Sequence, residues 1–292
     1  MRVILLILFP IILWARDVRV ASYNVCNYCA CDRFIENKFR ENFPKPEAEK
    51  KIVQDIICSA DPDVIALQEI GTKPYLEELQ KDLERKGKKY PFLALMEGED
   101  KVRHLAILSR IPIKSTLCHS DLSFSYFKTQ QKLKRGLLEV TFETEGKEWH
   151  LFVVHLKSRI SENKKDPIAT EFRSKEAQAI RDQIKKQTIK NSLFMIAGDF
   201  NDTKQSRPLY SLLKINQKEF CKSINTYDSR GETWTYFYAR ADTYSRTDYL
   251  LVSNEMLQLS KDKKGVIADP ENATKGSDHR LIYTDFSFPS KK

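Results

Sequence analysis

The stretch "LFMIAGDFNDTK", residues 193–204, decides how this chain is read. Leu193, Phe194, Met195, Ile196 and Ala197 suit a strand buried on both faces, and Gly198 permits a tight backbone approach. The apolar run then meets Asp199, Asn201 and Asp202 almost without a spacer. An Asx turn closing the strand would explain that collision alone, because Asp and Asn are common turn formers. The alternative puts Asp199 and Asn201 at the C-terminal end of a strand, where open α/β architectures place their chemistry.

Working outward, the same event recurs. "VRVASYNV" alternates like a strand and carries Asn24; "VIALQEI" is an apolar strand that ends in Gln68 and Glu69. "GLLEVTFET" and "EWHLFVVHLKS" read as two strands joined through "EGKE", the second running into His155. "HLAILSR", "TDYLLVS" and "RLIYTDFSF" complete the strand set; Asp248 lies in the second of these, and Asp278 and His279 stand just before the third. Between them, "KPEAEKKIVQDIICSA" puts Ile52, Val53, Ile56 and Ile57 on one helical stripe that "DPD" stops. A helix from about Pro74 to Arg85, a long one aligning Phe172, Ala177, Ile180 and Ile184, and a short one near Leu209 are expected as well. A single strand-terminal Asn or Asp is ordinarily a turn residue, and a lone His ordinarily a satisfied core or surface group. Glu69 and His155, however, follow apolar runs where an unpaired charge is costly, so the set as a whole points to one shared site.

No repeat, low-complexity tract or linker divides residues 16–292, which read as one domain. Ahead of them, "VILLILFPIILW" follows Arg2 and precedes Ala15. About twelve apolar residues are too few to span a bilayer and fit the core of a secretory signal. Cleavage after Ala15 is expected, giving a signal peptide over residues 1–15, a secreted or periplasmic protein and no membrane anchor thereafter; a buried N-terminal strand or an uncleaved anchor is the competing reading. The formal charge of +9 favours polyanionic partners, although "ERKGKK" and "KDKK" read more simply as solvated helix ends and loops. Six cysteines in an exported chain favour disulfides, one of them stiffening the "CNYCAC" loop after the first strand. Zinc is the weaker reading there, since no His lies near and no second Cys pair follows.

The segments "SYNV", "DVIALQEI", "LAILSRIPI", "VVHLKSR", "IAGDFND", "RTDYLLVS" and "GSDHRLI" cover nearly all of residues 16–292. In that order they resemble the endonuclease/exonuclease/phosphatase superfamily, which includes deoxyribonuclease I, exonuclease III, neutral sphingomyelinases and inositol polyphosphate phosphatases. The resemblance implies a deoxyribonuclease I-like fold: a four-layer α/β sandwich of two mixed β-sheets packed face to face with helices outside. It implies a metal-dependent phosphoric ester hydrolase in which Glu69 holds Mg²⁺ with Asn24 close by and Asp278 contributing from the opposite side, Mn²⁺ or Ca²⁺ being alternatives. A hard cation suits such oxygen ligands. The same resemblance makes His279 the general base, oriented by Asp248, with Asp199 positioning or activating water and Asn201 and His155 donating to phosphate oxygens.

Two departures mark this chain. Relatives of exonuclease III carry Asp at the position of Cys26 and Tyr at the position of His155, which puts the chain nearer deoxyribonuclease I and the sphingomyelinases. Deoxyribonuclease I also orients that His with a Glu, whose nearest counterpart here is Arg103 or His104. That change recasts His155 from a general acid to a phosphate-binding group, with Arg103 as its helper. The expected substrate is a nucleic-acid phosphodiester, with Lys157 and Arg159 beside the site and the protein acting as a secreted endonuclease, a monomer without a stable protein partner. A phosphatase, a phospholipid phosphodiesterase and an inactive binding protein are the alternatives. "TWTYFYAR" could stack on bases through Trp234, Tyr236, Phe237 and Tyr238, but a packed strand is the simpler expectation.

Overall fold

The computed structural model describes residues 15–189 and 191–290. The expected signal peptide lies outside the described residues except for Ala15. Among those described, no helix is long and apolar enough to cross a membrane.

Two mixed sheets form the body. The first has seven strands in the order Asn225–Tyr227, Lys264–Ile267, Ile282–Pro289, Ala15–Tyr28, Val64–Ile70, His104–Ser109 and Phe92–Met96. The second has six, in the order Lys222–Ser223, Asp248–Val252, Leu193–Asp199, Lys147–His155, Leu137–Thr144 and Ile113–His119. Side chains alternate across each strand, so one set of positions faces the opposing sheet and the other faces helices. Val18, Val20, Val64, Ala66, Leu138, Val140, Trp149, Leu151, Met195 and Ala197 meet in the inter-sheet core. Trp149 is fully buried there and stacks on Phe142 with ring centroids 4.5 Å apart.

The alternate positions build two outer layers. Ala21, Tyr23, Ile65 and Leu67 pack against the helices Glu47–Ala60 and Lys73–Arg85. Phe152, Phe194 and Ile196 pack against Thr170–Gln187 and Arg207–Leu213. The result is helices, sheet, sheet, helices. The helical stripes named above are the buried ones: Val53, Ile56 and Ile57 in the first helix, Phe172, Ala177, Ile180 and Ile184 in the long one. "DPD" ends its helix as expected, with Asp61 in the left-handed region at φ 50° and its N–H on Ile57 O at 2.9 Å.

Other parts differ from the sequence reading. The edge strand Ile113–His119 and the hairpins Cys31–Ile35/Lys38–Phe43 and Ser123–Tyr126/Thr129–Lys132 lacked a clear apolar alternation because most of their residues face solvent. "TWTYFYAR" supplies only the short strand Tyr236–Tyr238, paired with Thr243–Ser245. The disulfide expectation is corrected: all six cysteines are free thiols. Cys58 lies on the first helix, Cys118 on an edge strand and Cys221 in the connection before Lys222–Ser223, buried in the outer core with Leu209 and Leu212. The loop after the first strand is held by cations instead. Lys45 Nζ donates to Cys26 O at 2.8 Å, and Arg33 Nη2 donates to Asn27 O at 2.6 Å and Cys29 O at 2.7 Å.

Candidate active site

The site is the polar end of the inter-sheet core. Alternation carries the inward face from Val18 and Val20 to Ser22 and Asn24, from Val64 and Ala66 to Gln68, and from Leu151 and Val153 to His155. In the same way Met195 and Ala197 lead to Asp199. Ladder register then aligns the second sheet's polar residues: His155 pairs with Asp199 and Asp199 with Asp248, so three neighbouring strands place them on one rung. Asp248 opens its strand rather than ending it. Because that strand runs antiparallel to Leu193–Asp199, its first residue reaches the same edge. Alternation alone would turn Glu69 away from the site, but a register shift between Gln68 and Ile70 and a φ of 61° at Glu69 re-aim it.

At one end stands a carboxylate–imidazole pair. His279 Nδ1 lies 2.9 Å from Asp248 Oδ2, and the same oxygen accepts from Thr235 Oγ1 at 2.6 Å and Thr247 Oγ1 at 3.0 Å. His279 Nε2 faces Asp199 Oδ2 at 3.7 Å. Burial works against a charged imidazole, but Asp248 and Asp199 outweigh it and hold the His279 pKa well above its ordinary value. Burial raises the Asp199 pKa, a shift that the nearby His279 charge opposes. The His279 backbone is fixed by Ser277, whose Oγ accepts its N–H at 3.0 Å and donates to Asn24 O at 2.7 Å.

Glu69 and Asn24 form the other end. Asn24 Nδ2 donates to Asp199 Oδ2 at 3.1 Å and to Glu69 Oε1 at 3.3 Å, and Asn27 N–H donates to Glu69 Oε2 at 3.0 Å. Arg103 Nε donates to Asn27 Oδ1 at 2.7 Å and lies 3.7 Å from Glu69. His155 Nε2 sits 3.4 Å from Asp199 Oδ2 and 3.9 Å from Glu69 Oε1, while its buried Nδ1 has no partner. Burial, then the charges of Arg135, His279 and Arg103, push the His155 pKa well down, so its ring is neutral.

The sequence of residues 21–279 matches the pattern described as the Endonuclease/Exonuclease/phosphatase family. The chain belongs to that family. No curated protein matches it. Solved structures similar to it include beta toxin from Staphylococcus aureus, 17% identical with a TM-score of 0.64 over 94% of this chain and 100% of that one. Sphingomyelinase C from Streptomyces griseocarneus is 15% identical with a TM-score of 0.65, over 93% of this chain and 99% of that one. The human Nocturnin catalytic domain is 15% identical with a TM-score of 0.64, over 95% and 96%. At these identities the likeness establishes a shared fold.

Membership in the endonuclease/exonuclease/phosphatase family, together with the clustered donors, makes the chain a metal-dependent phosphoric ester hydrolase. Asp199, Asp248 and His279 offer ligand atoms all within 4.8 Å of one another, a grouping compatible with a divalent cation. Asp278 is half-buried, and burial followed by the nearby carboxylates of Asp278 and Glu69 raises the pKa of the Cys26 thiol.

The remaining sequence candidates brace the site or flank it. Asn201, at φ 52°, gives its N–H to Asp199 Oδ1 at 2.8 Å and its side-chain amide to Leu156 O at 2.9 Å and Asp199 Oδ2 at 3.2 Å. Lys157 turns back onto its own loop, donating to Ser158 Oγ at 3.3 Å and to Ile160 O. Arg159 Nη2 donates to Asp202 Oδ1 at 3.1 Å. Thr235, Ser277 and Arg135 were not singled out in the sequence. Thr235 is hidden among aromatics, Ser277 stands one residue outside the Asp278–His279 pair, and Arg135 looks like part of the charge run "KLKR". Arg135 is nonetheless buried, with Nη2 on Asp100 Oδ2 at 3.1 Å and Nε and Nη1 unpartnered.

Proposed function

We propose that the chain is a magnesium-dependent phosphodiesterase that cuts nucleic acid outside the cytoplasm. The observation that carries the substrate class is the cationic wall beside the site: Arg103 and Arg135 share Asp100, and both charges are felt at His155. Positive charge beside the site favours a polyanionic substrate. Glu69, Asn24 and Asp278 would hold the cation, since Asp248 Oδ2 is already committed to three hydrogen bonds. When bound, Mg²⁺ supplies positive charge to the phosphate oxygens and to the departing oxygen.

The protein groups then divide the proton work. His279 presents Nε2 as the proton acceptor for an attacking water, because Nδ1 is occupied by Asp248. Asp199, 3.7 Å from Nε2, accepts the water's other hydrogen and so aims its lone pair. His155, neutral and with Nε2 turned to the site, donates to a phosphate oxygen as negative charge builds. Supercoiled plasmid incubated with residues 16–292 tests this reading. Nicking should require Mg²⁺, stop with EDTA and be lost in His279→Ala. Hydrolysis of small phosphate esters without nicking would overturn the nucleic-acid assignment.

A further inference from the structure

A feature that this chemistry leaves unused lies on the loop that follows His155 in the chain. There the hairpin Ser123–Tyr126/Thr129–Lys132 meets the loop 157–168 through Tyr126. Asn163 Nδ2 donates to Tyr126 Oη at 3.2 Å, and Tyr126 Oη donates to Asp166 Oδ2 at 3.0 Å. The rings of Phe124 and Tyr126 each lie 5.0 Å from Phe172 on the long helix, so the hairpin is seated on the core. Between hairpin and loop lies a cavity of about 750 Å³ lined by Phe127, Lys128, Gln131, Asn163 and Lys165.

Two properties of this cavity are unusual for plain surface. Phe127, at the hairpin tip, is 53% exposed and has a φ of 50°, a conformation that hairpin turns ordinarily give to Gly. Lys128, Lys164 and Lys165 are exposed and none has a carboxylate partner among the described residues, although Lys132, one strand away, has two. An exposed aromatic among unneutralised ammonium groups matches a single nucleic-acid strand, whose bases offer flat faces and whose backbone offers repeated negative charge. The loop that walls this cavity leaves the strand that carries His155, beginning at Lys157.

We propose that this hairpin and loop form a platform for the part of a nucleic-acid strand that extends past the cleaved bond, with a base against Phe127 and phosphates on Lys128, Lys164 and Lys165. The platform rests on the nucleic-acid reading above, but binding and cutting can be separated. Binding of a fluorescent single-stranded oligonucleotide to residues 16–292 in EDTA reads binding without cutting, and the variants below isolate the platform's share. Each phosphate contact on a single strand contributes roughly 0.7 to the slope of log affinity against log salt, so a Lys128→Gln/Lys164→Gln/Lys165→Gln protein should be shallower by about 2. Phe127→Ala should weaken binding roughly tenfold with little change in slope. Hydrolysis of bis(p-nitrophenyl) phosphate, which reaches none of these groups, should be unchanged in both and certifies that the variants fold.

Oligonucleotide binding without cutting would remove the nuclease assignment and leave the platform standing. An unchanged salt slope in the triple variant, with cutting intact, would remove the platform and leave the nuclease. Loss of binding to phosphatidylglycerol vesicles in the triple variant, with oligonucleotide binding unaltered, would also overturn the proposal; the exposed Ile160 and Ile168 nearby make that the relevant control.

Discussion

Replacing Asp248 by Asn tests the proton chemistry most directly. Asp248 is 1% exposed and His279 6%, and the two meet at 2.9 Å, so solvent screens the pair little. Two unit charges about 4 Å apart at an effective dielectric near 20 attract by about 4 kcal/mol. That energy stabilises an imidazolium formed as water gives up its proton, and at about 1.4 kcal/mol per decade its loss predicts a fall of about a thousandfold in kcat. An amide also offers an N–H to Nδ1 in place of a carboxylate oxygen, which favours the wrong ring tautomer and deepens the loss. Binding of substrate does not pass through this pair, so KM should move little.

The pH dependence supplies an independent reading. Asp248 raises the His279 pKa, so the acid limb of the kcat profile should lie above the ordinary imidazole range and move to lower pH in Asp248→Asn. The assay is steady-state hydrolysis of bis(p-nitrophenyl) phosphate with saturating Mg²⁺ between about pH 5 and pH 9, where these limbs are resolved. A loss below tenfold, or an acid limb that stays in place, would falsify the dyad.

Three further outcomes follow from the geometry. His155→Ala should cost about 2.7–4 kcal/mol of activation free energy, and His155→Asn, which keeps a donor, should recover part of it in the same assay. Neither should alter the shape of the pH profile, because His155 stays neutral. Gly198→Ala should lower both melting temperature and activity, since φ is 151° there and an added Cβ would meet Val154 O at 1.9 Å; an unperturbed melt would refute that close approach. Glu139 is buried between His119 Nε2 at 2.8 Å and His150 Nδ1 at 3.3 Å. Burial alone would raise its pKa, but the two histidines bring it down to about 2. Its contribution is therefore fully present above the unfolded-state value near 4.3 and is lost as pH falls towards 2. Urea unfolding of Glu139→Gln should show a deficit of about 2–3 kcal/mol at neutral pH that closes by about pH 2, and a pH-independent deficit would remove the linkage.

Most of the fold was legible because its central strands carry strong local signals. The apolar runs at 64–70, 149–156 and 193–199 are each broken near their end by a polar side chain, Gln68 and Glu69, His155 and Asp199 in turn, and each is a central strand in the structure. Solvent-facing strands were not legible, since Ile113–His119, Lys38–Phe43 and Thr129–Lys132 bury too few residues to leave a period-two pattern, and Ser123–Tyr126 alternates over only four residues. The same division runs through the site. Residues proposed to react stand out as polar breaks in apolar sequence, whereas those that hold them, such as Thr235, Ser277 and Arg135, act across long sequence separations and look ordinary in their own surroundings. Glu69 illustrates the limit: its presence was readable, but its direction depends on a backbone bulge that no alternation rule predicts.

The rung that joins His155, Asp199 and Asp248 bears on how such a protein can diversify. Their spacing is set by neighbouring strands and not by the chain that connects them. Apart from the residues that brace the rung, such as Asn201 and Thr235, the segments 156–192 and 200–247 can therefore lengthen, shorten or be exchanged between relatives while the three groups keep their separation. A one-residue insertion inside any of those strands, by contrast, would turn every following side chain to the opposite face and dismantle the site at once. Selection can thus rework what is bound through the connecting segments and leave the hydrolytic chemistry inherited intact.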